Sequence, residues 1–470
     1  MVFSSNVFLY FFLTIVLAGY ALLRRNRRLS NLWLTFTSLG FYAWGQTKFV
    51  VVMIASIFFN WLLALAVDRE KRLGRPKGAK AAMIVAVVLN LCLLGVYKYL
   101  AWLLGSLNAW FNLSFPVPEI ALPIGISFFT FQAMSYVIDV YRGKGMVQRS
   151  FFNVCLYISF FPQLIAGPIV RYSTVAEEIE HRIETKEDFV QGVHRFMVGL
   201  CKKVLLANNL GLLVDTLFGL ERSNLSVAGA WLAAACYLMQ VYYDFSGYSD
   251  MAIGLGKMFG FHFSENFRQP FIAKSVAGFW KRWHISLTSW FQDYLYIPLG
   301  GSRVKTPRLI FNMFMVWSLT GLWHGAAWTY VLWGCGFFVM LAVERFTGLG
   351  KWMEKHPVGH LYAMVTVVFF TTMIRCDNLP HAWSMYGSLL GLSGAPLMNS
   401  VTLAMLREYA VYIVAAVLCA LPLRNFFVSK LRLGESFVRI AGAVLLIALT
   451  IAALSYLAVG GYNPFIYFNF

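Results

Sequence analysis

Asp244-Phe-Ser-Gly-Tyr-Ser-Asp250, Phe279-Trp-Lys-Arg-Trp-His-Ile-Ser-Leu287 and Gly321-Leu-Trp-His-Gly-Ala326 are three runs of one stretch that decides how the chain folds. Polar and aromatic residues crowd here, between apolar runs of about 20 residues, long enough to cross a bilayer as helices. His284 sits beside a basic, aromatic, amphipathic segment, and His324 lies inside an almost wholly apolar one. A histidine in hydrocarbon surroundings is costly unless it is paired or faces a cavity. It is also the side chain best suited to moving protons near neutral pH. His324 is therefore the expected chemical centre, with the rest of the chain as the membrane body that holds it.

Outward from that stretch, composition gives the class. Of 470 residues, 59% are hydrophobic, 17% aromatic and only 13% charged. Such a chain is an all-α polytopic membrane protein, because only helices that satisfy their own backbone can repeatedly cross lipid in this way. The first run, Phe8 to Leu23, lacks a basic leader and a small-residue cleavage site and is followed by four arginines. It is expected to be a retained helix. The net charge of +18 comes from short basic loops between apolar runs, a topology pattern that argues against a nucleic-acid partner. The seven cysteines show no CxxC spacing, so neither a metal site nor a disulfide framework is expected.

Spans are expected over 6–23, 32–45 and 48–66 as a tight pair, 82–104 and 122–141. A broken or re-entrant segment follows at 151–170, where Pro162 and Gly167-Pro168 interrupt the run. Residues 174–190 are mixed-charge and expected to be exposed. Further apolar stretches cover 192–218, 227–257, 309–322, 326–344, 358–374, 403–422 and 437–459. Between them, 262–308 has the aromatic and basic interleaving of helices lying in the membrane interface. The total is about 11–12 membrane segments in a single domain over 1–470, with a catalytic core at about 120–345. Basic loops near residues 26, 74, 145 and 430 predict a cytoplasmic side that leaves both termini outside.

Each candidate site residue has a plain structural alternative. His324 is either a base lining a cavity between Trp323 and Trp328, beside the flexible Gly321 and Gly325, or a packing histidine bonded to a neighbouring helix carbonyl. His284 is either an active-site group or an interfacial residue among tryptophans. Lys281 and Arg282 either bind phosphates of an anionic donor or set topology. Asp244 and Asp250 either orient a histidine, pair with an arginine or hold helices together by buried hydrogen bonds. No phosphate loop, nucleophile elbow or metal-ligand cluster appears.

Taken with Phe41-Tyr-Ala-Trp-Gly, Leu122-Pro-Ile-Gly-Ile-Ser, Asp139-Val-Tyr-Arg-Gly, Phe161-Pro-Gln-Leu-Ile-Ala-Gly-Pro and Glu265-Asn-Phe, these runs span nearly the whole chain. They resemble the membrane-bound O-acyltransferase family, in its bacterial branch typified by the membrane subunit of alginate O-acetylation. The resemblance implies re-entrant and interfacial helices around a central tunnel, with His324 as catalytic histidine and His284 as the second active-site residue. It implies a substrate-facing set of Lys281, Arg282, Trp283, Trp323, Asp244, Asp250 and Asn266. The tail Phe465-Ile-Tyr-Phe-Asn-Phe looks like a motif whose tyrosine, here Tyr467, carries the acyl group outward; an aromatic membrane anchor is the alternative.

The implied reaction is acetyl transfer from acetyl-CoA, used as a donor substrate with no bound cofactor, to an extracytoplasmic polysaccharide. It would run in a bacterial inner membrane, with an SGNH-hydrolase-like partner completing the transfer to alginate, cellulose, another exopolysaccharide or peptidoglycan. Two rivals are D-alanyl transfer from a carrier protein to teichoic acid, and a transporter or flippase. Transporters commonly carry inverted repeats, and none is visible here.

Overall fold

A computed structural model describes residues 1–423, 427–428 and 434–464, and among them there are helices and no strands. The chain gathers into two compact units, Met1–Phe196 with Ser249–Ser264 and Met197–Tyr248 with Glu265–Phe470. Six helices of the described residues are long and apolar enough to cross a membrane. A seventh is gained if the bent pair Ser400–Glu408 and Ala410–Cys419, at 62°, is one span. Of the other expected segments, 6–23, 122–141 and 151–170 are shorter or interrupted helices, whereas Val227–Met258 and Thr306–His324 are long and continuous but less apolar, so this is a polytopic all-α membrane protein.

In the first unit, helix Arg27–Arg72 starts at Asn26, whose side chain accepts from the Arg28 and Leu29 N–H groups. Backbone angles leave the helical range at Gln46 (φ −145°, ψ 45°). Phe36 packs against Phe152, while Phe58 and Trp61 pack against the adjacent Phe151. A straight helix would separate positions 36 and 58 by about 33 Å. The two arms therefore fold back on each other at Gln46, as the tight pair of spans requires.

The run at 151–170 is broken as expected. Helix Phe151–Ser159 stops at Phe160, and helix Phe161–Leu164 restarts with its first N–H donated to Ser38 Oγ at 3.1 Å. Gly167 is needed beyond it, because a Cβ there would lie 2.5 Å from the Gln163 Cα.

Residues 174–190 are largely exposed, as expected, but one face of the segment is buried. Tyr172, Val175 and Ile179 are buried, and so is Arg182, whose guanidinium donates to Tyr20 Oη at 2.9 Å and Asn31 Oδ1 at 2.6 Å. A mixed-charge sequence conceals this, since the partners of Arg182 lie some 150 residues earlier. A buried cation is tolerable only when hydrogen-bonded in this way.

In the second unit, helices Thr306–His324 and Trp328–Phe346 form an antiparallel pair crossing at glycines. A Cβ on Gly321 would lie 2.3 Å from the Tyr330 carbonyl oxygen, and one on Gly334 2.3 Å from that of Trp317. The close crossing holds His324 at the end of its helix. Residues 262–308 differ from interfacial helices. They form the short helices Pro270–Ile272 and Val276–Trp280 and then a continuous helix made of Ile285–Phe291 and Gln292–Tyr296. Phe279, Trp280, Trp283, Leu287, Trp290 and Phe291 are all buried in protein. The segment is cut by caps and a left-handed residue, so no continuous amphipathic face forms. Large apolar side chains are instead exposed on helix Glu435–Ala458, at Phe437, Ile440, Val444 and Ile451.

Residues 462–464 are tied to this unit. Lys203 Nζ donates to the Pro464 carbonyl, Asn208 donates to Asn463 Oδ1 at 3.2 Å, and Tyr462 donates to Asp215. Tyr467 lies outside the described residues.

Candidate active site

The site is built from residues 266–288 and the end of helix Thr306–His324. Segments 266–268 and 282–286 are zipped by backbone bonds, Ile285 N–H to Asn266 O at 3.0 Å and Arg268 N–H to Arg282 O at 2.9 Å. His284 takes the left-handed conformation (φ 47°, ψ 52°), uncommon outside glycine. This turns the chain so that the His284 carbonyl starts helix Ile285–Phe291, accepting from the Leu287 and Thr288 N–H groups at 3.1 Å.

Asn266 is fully buried, and its Oδ1 accepts the Ser286 backbone N–H at 3.2 Å and Ser286 Oγ–H at 2.9 Å. A backbone N–H can only donate, so this atom is the amide oxygen. The same oxygen lies 3.2 Å from His284 Nδ1, which must then carry the proton. His284 Nε2 is left with a lone pair, buried and without a hydrogen-bond partner among the described residues. Burial pushes this imidazole well below the usual histidine range, and the nearby His324 acts in the same direction. The neutral ring accepts at Nε2 and donates nothing there, so it would need a second proton to stabilise an oxyanion.

His324 faces it, with ring centroids 6.0 Å apart. Phe245 stands edge-on to His284 at 4.5 Å, and Trp323 and Trp333 stand edge-on to His324 at 5.0 and 5.3 Å. Both histidines line one cleft of about 790 Å³, entirely within the second unit. Trp280 lines it too, and its buried indole N–H has no acceptor among the described residues.

Lys281, Arg345 and Lys351 line the same cleft, and their side chains make no ion pair or hydrogen bond among the described residues. The two carboxylates there are committed. Glu344 accepts the Val276 and Ala277 N–H groups at 2.6 and 2.9 Å, and Glu354 accepts from Ser275 Oγ at 3.1 Å. The cations outnumber these carboxylates in the lining, which suits an anion. Arg345, Lys351 and Glu344 were absent from the sequence-derived set. Glu344 carried a signal, a carboxylate within an otherwise apolar run; the two cations carried none beyond topology.

The sequence model of the MBOAT, membrane-bound O-acyltransferase family, matches residues 145–374, which hold the cleft. A probable alginate O-acetylase of Pseudomonas putida is 38% identical over 100% of both chains. The chain belongs to the membrane-bound O-acyltransferase family. It is accordingly an O-acyltransferase. Two further relatives mark the breadth of the family around it. A peptidoglycan O-acetyltransferase of Helicobacter pylori is 32% identical over 85% of this chain and 81% of its own. A teichoic acid D-alanyltransferase of Bacillus subtilis is 29% identical over 50% of this chain and 61% of its own.

Within this acyltransferase, the predicted residues divide. His284, His324, Asn266, Trp323 and Lys281 meet in or beside the cleft. Trp283 packs in the core against Phe267 and Phe279 at 5.2 and 5.3 Å, and Arg282 reaches only the Arg268 carbonyl, at 3.4 Å. Asp244 is ion-paired with Lys203 at 2.8 Å, both buried. Asp250 belongs to the first unit, where Arg195 holds it at 2.6 and 2.7 Å. Asp250 has the arginine partner that the structural alternative calls for, and Asp244 pairs with a lysine instead.

Proposed function

We propose that this enzyme takes acetyl groups from cytoplasmic acetyl-CoA and passes them across a bacterial inner membrane for O-acetylation of an extracytoplasmic polysaccharide. The observation that carries the reading is the single cleft joining three uncommitted cations to two facing histidines. Phosphates of coenzyme A suit these cations. The thioester then reaches the histidines while the nucleotide stays on the donor side.

In the reaction, His324 takes the proton of an acceptor hydroxyl as its oxygen attacks the thioester carbonyl carbon. The C–O bond forms, the C–S bond breaks, and the departing thiolate recovers a proton as coenzyme A thiol. Before the attack His284 Nε2 can hold the hydroxyl by its single O–H, which then turns to His324 for the proton transfer. The Trp280 indole N–H is suited to the developing oxyanion. The acceptor is Tyr467 or the sugar itself, and an SGNH-hydrolase-like partner completes transfer if the tyrosine carries the acetyl. The alginate O-acetylase relative supports a uronate polysaccharide as final acceptor, with both termini of this chain outside.

The test is steady-state acetyl-CoA cleavage by the purified protein in nanodiscs, with Lys281→Gln, Arg345→Gln and Lys351→Gln. Each change is expected to raise KM for acetyl-CoA and leave kcat in place. Unchanged KM in all three would remove the donor from these cations. A native protein that ignores acetyl-CoA but consumes D-alanyl-loaded carrier protein would favour the alternative that the teichoic acid relative represents.

A further inference from the structure

The first unit contains a second cavity, of about 660 Å³, where the end of helix Arg27–Arg72 meets the turn after helix Ile126–Arg142. The two basic loops concerned lie some 70 residues apart in sequence. Lys71 joins them, donating to the Val140 and Tyr141 carbonyls at 3.0 and 3.1 Å. The turn is built rather than loose. Gln148 N–H donates to Tyr136 Oη at 3.0 Å, and the Gln148 amide donates to Glu180 at 2.9 Å.

The charges are unevenly committed. Arg72 is paired with Asp68, and Glu180 is occupied by Gln148. Lys144 and Arg149 line the same cavity, and their side chains make no ion pair or hydrogen bond among the described residues. Lys71 has a third N–H to spare. Beside these cations Met146 is 87% exposed and Leu73 52% exposed. Large apolar side chains so open, next to cations at the end of a membrane-crossing helix, fit the boundary between headgroups and acyl chains.

We propose that this cavity binds the phosphate-bearing headgroup of an anionic membrane lipid, with Lys144 and Arg149 on the phosphate and Met146 in the acyl boundary. Cationic pockets at helix ends take such headgroups, each Lys or Arg near the surface adding about 1 kcal/mol. A soluble phosphate would meet the same cations but gain nothing from Met146 and Leu73.

The experiment is native mass spectrometry of the full chain released from phosphatidylglycerol nanodiscs, compared with phosphatidylcholine nanodiscs and with added inorganic phosphate. The native protein is expected to retain phosphatidylglycerol, and Lys144→Gln/Arg149→Gln to retain it roughly thirtyfold less well, about 2 kcal/mol at 1.4 kcal/mol per tenfold. Lys77→Gln/Lys80→Gln, exposed basic residues outside the cavity, should behave as native. Melting in phosphatidylcholine, unchanged by either pair, would show that the variants fold. Equal retention by native and Lys144→Gln/Arg149→Gln proteins overturns the proposal. So does an equal loss in both variants, which would mean diffuse surface charge, or displacement of the lipid by inorganic phosphate.

Discussion

Replacing Asn266 with alanine would remove one buried oxygen that serves three donors, the Ser286 N–H, the Ser286 hydroxyl and His284 Nδ1–H. The hydroxyl can rotate toward another acceptor. The backbone N–H and the ring N–H cannot. A buried donor left unsatisfied costs about 1–3 kcal/mol, so the two together should cost roughly 2–6 kcal/mol of local stability before relaxation. The effect on chemistry follows from the tautomer. Without the oxygen, Nδ1 no longer needs the proton, and the ring can present N–H instead of a lone pair to His324. A misplacement of about 1 Å at such a group can cost 100-fold. Acetyl-CoA turnover in Asn266→Ala, measured with size exclusion to verify folding, should fall to that extent. Asn266→Asp offers the same acceptor and should keep much of the activity. Its negative charge favours protonated His284, so that pKa rises and the acid limb of the pH–rate profile moves to higher pH. Wild-type turnover and an unchanged profile in Asn266→Ala would refute the assignment of Asn266 as the residue that sets the His284 tautomer.

Three other outcomes are expected. Trp280→Phe keeps the ring packed against Trp317 and Phe337 and removes only the N–H, so kcat should fall by about 100-fold or more with KM little changed. Gly321→Ala puts a Cβ 2.3 Å from a carbonyl oxygen, and the helix pair must separate; thermal melting should report about 1–3 kcal/mol of destabilisation. His262 bridges Glu178 and Asp188 at 2.7 and 3.3 Å. Burial lowers its pKa, but the two carboxylates outweigh that and hold it above the usual histidine value. The raised value means that the bridge contributes stability below the ordinary pKa of about 6.5 and loses it as pH rises through the folded value. Hydrogen exchange at residues 259–264 should therefore quicken with pH beyond its intrinsic dependence in the native protein and lose that excess in His262→Gln.

What could be seen in the chain beforehand follows from the range of the interactions. Apolar runs, the break at Gly167-Pro168 and the histidine pair are local features, and each appears where its residues suggested. The reversal at Gln46 was visible only as two adjacent apolar runs. Arg182 and Asp250 were misplaced or left open because their partners, Tyr20, Asn31 and Arg195, are distant in sequence, and burial of a charge is settled by such partners. The aromatics of 279–291 resembled an interfacial helix because composition alone does not register a left-handed residue at His284. Arg345 and Lys351 looked like ordinary loop cations; only the commitment of Glu344 and Glu354 elsewhere leaves them available to an anion.

The most direct measurement is cleavage of labelled acetyl-CoA by native protein and His324→Ala in the same nanodiscs. The account predicts that the native chain releases coenzyme A thiol and that His324→Ala, folded by size exclusion, loses at least about 100-fold in turnover. A His324→Ala protein that turns over at the native rate would contradict it, since the cleft would then hold no general base at that position.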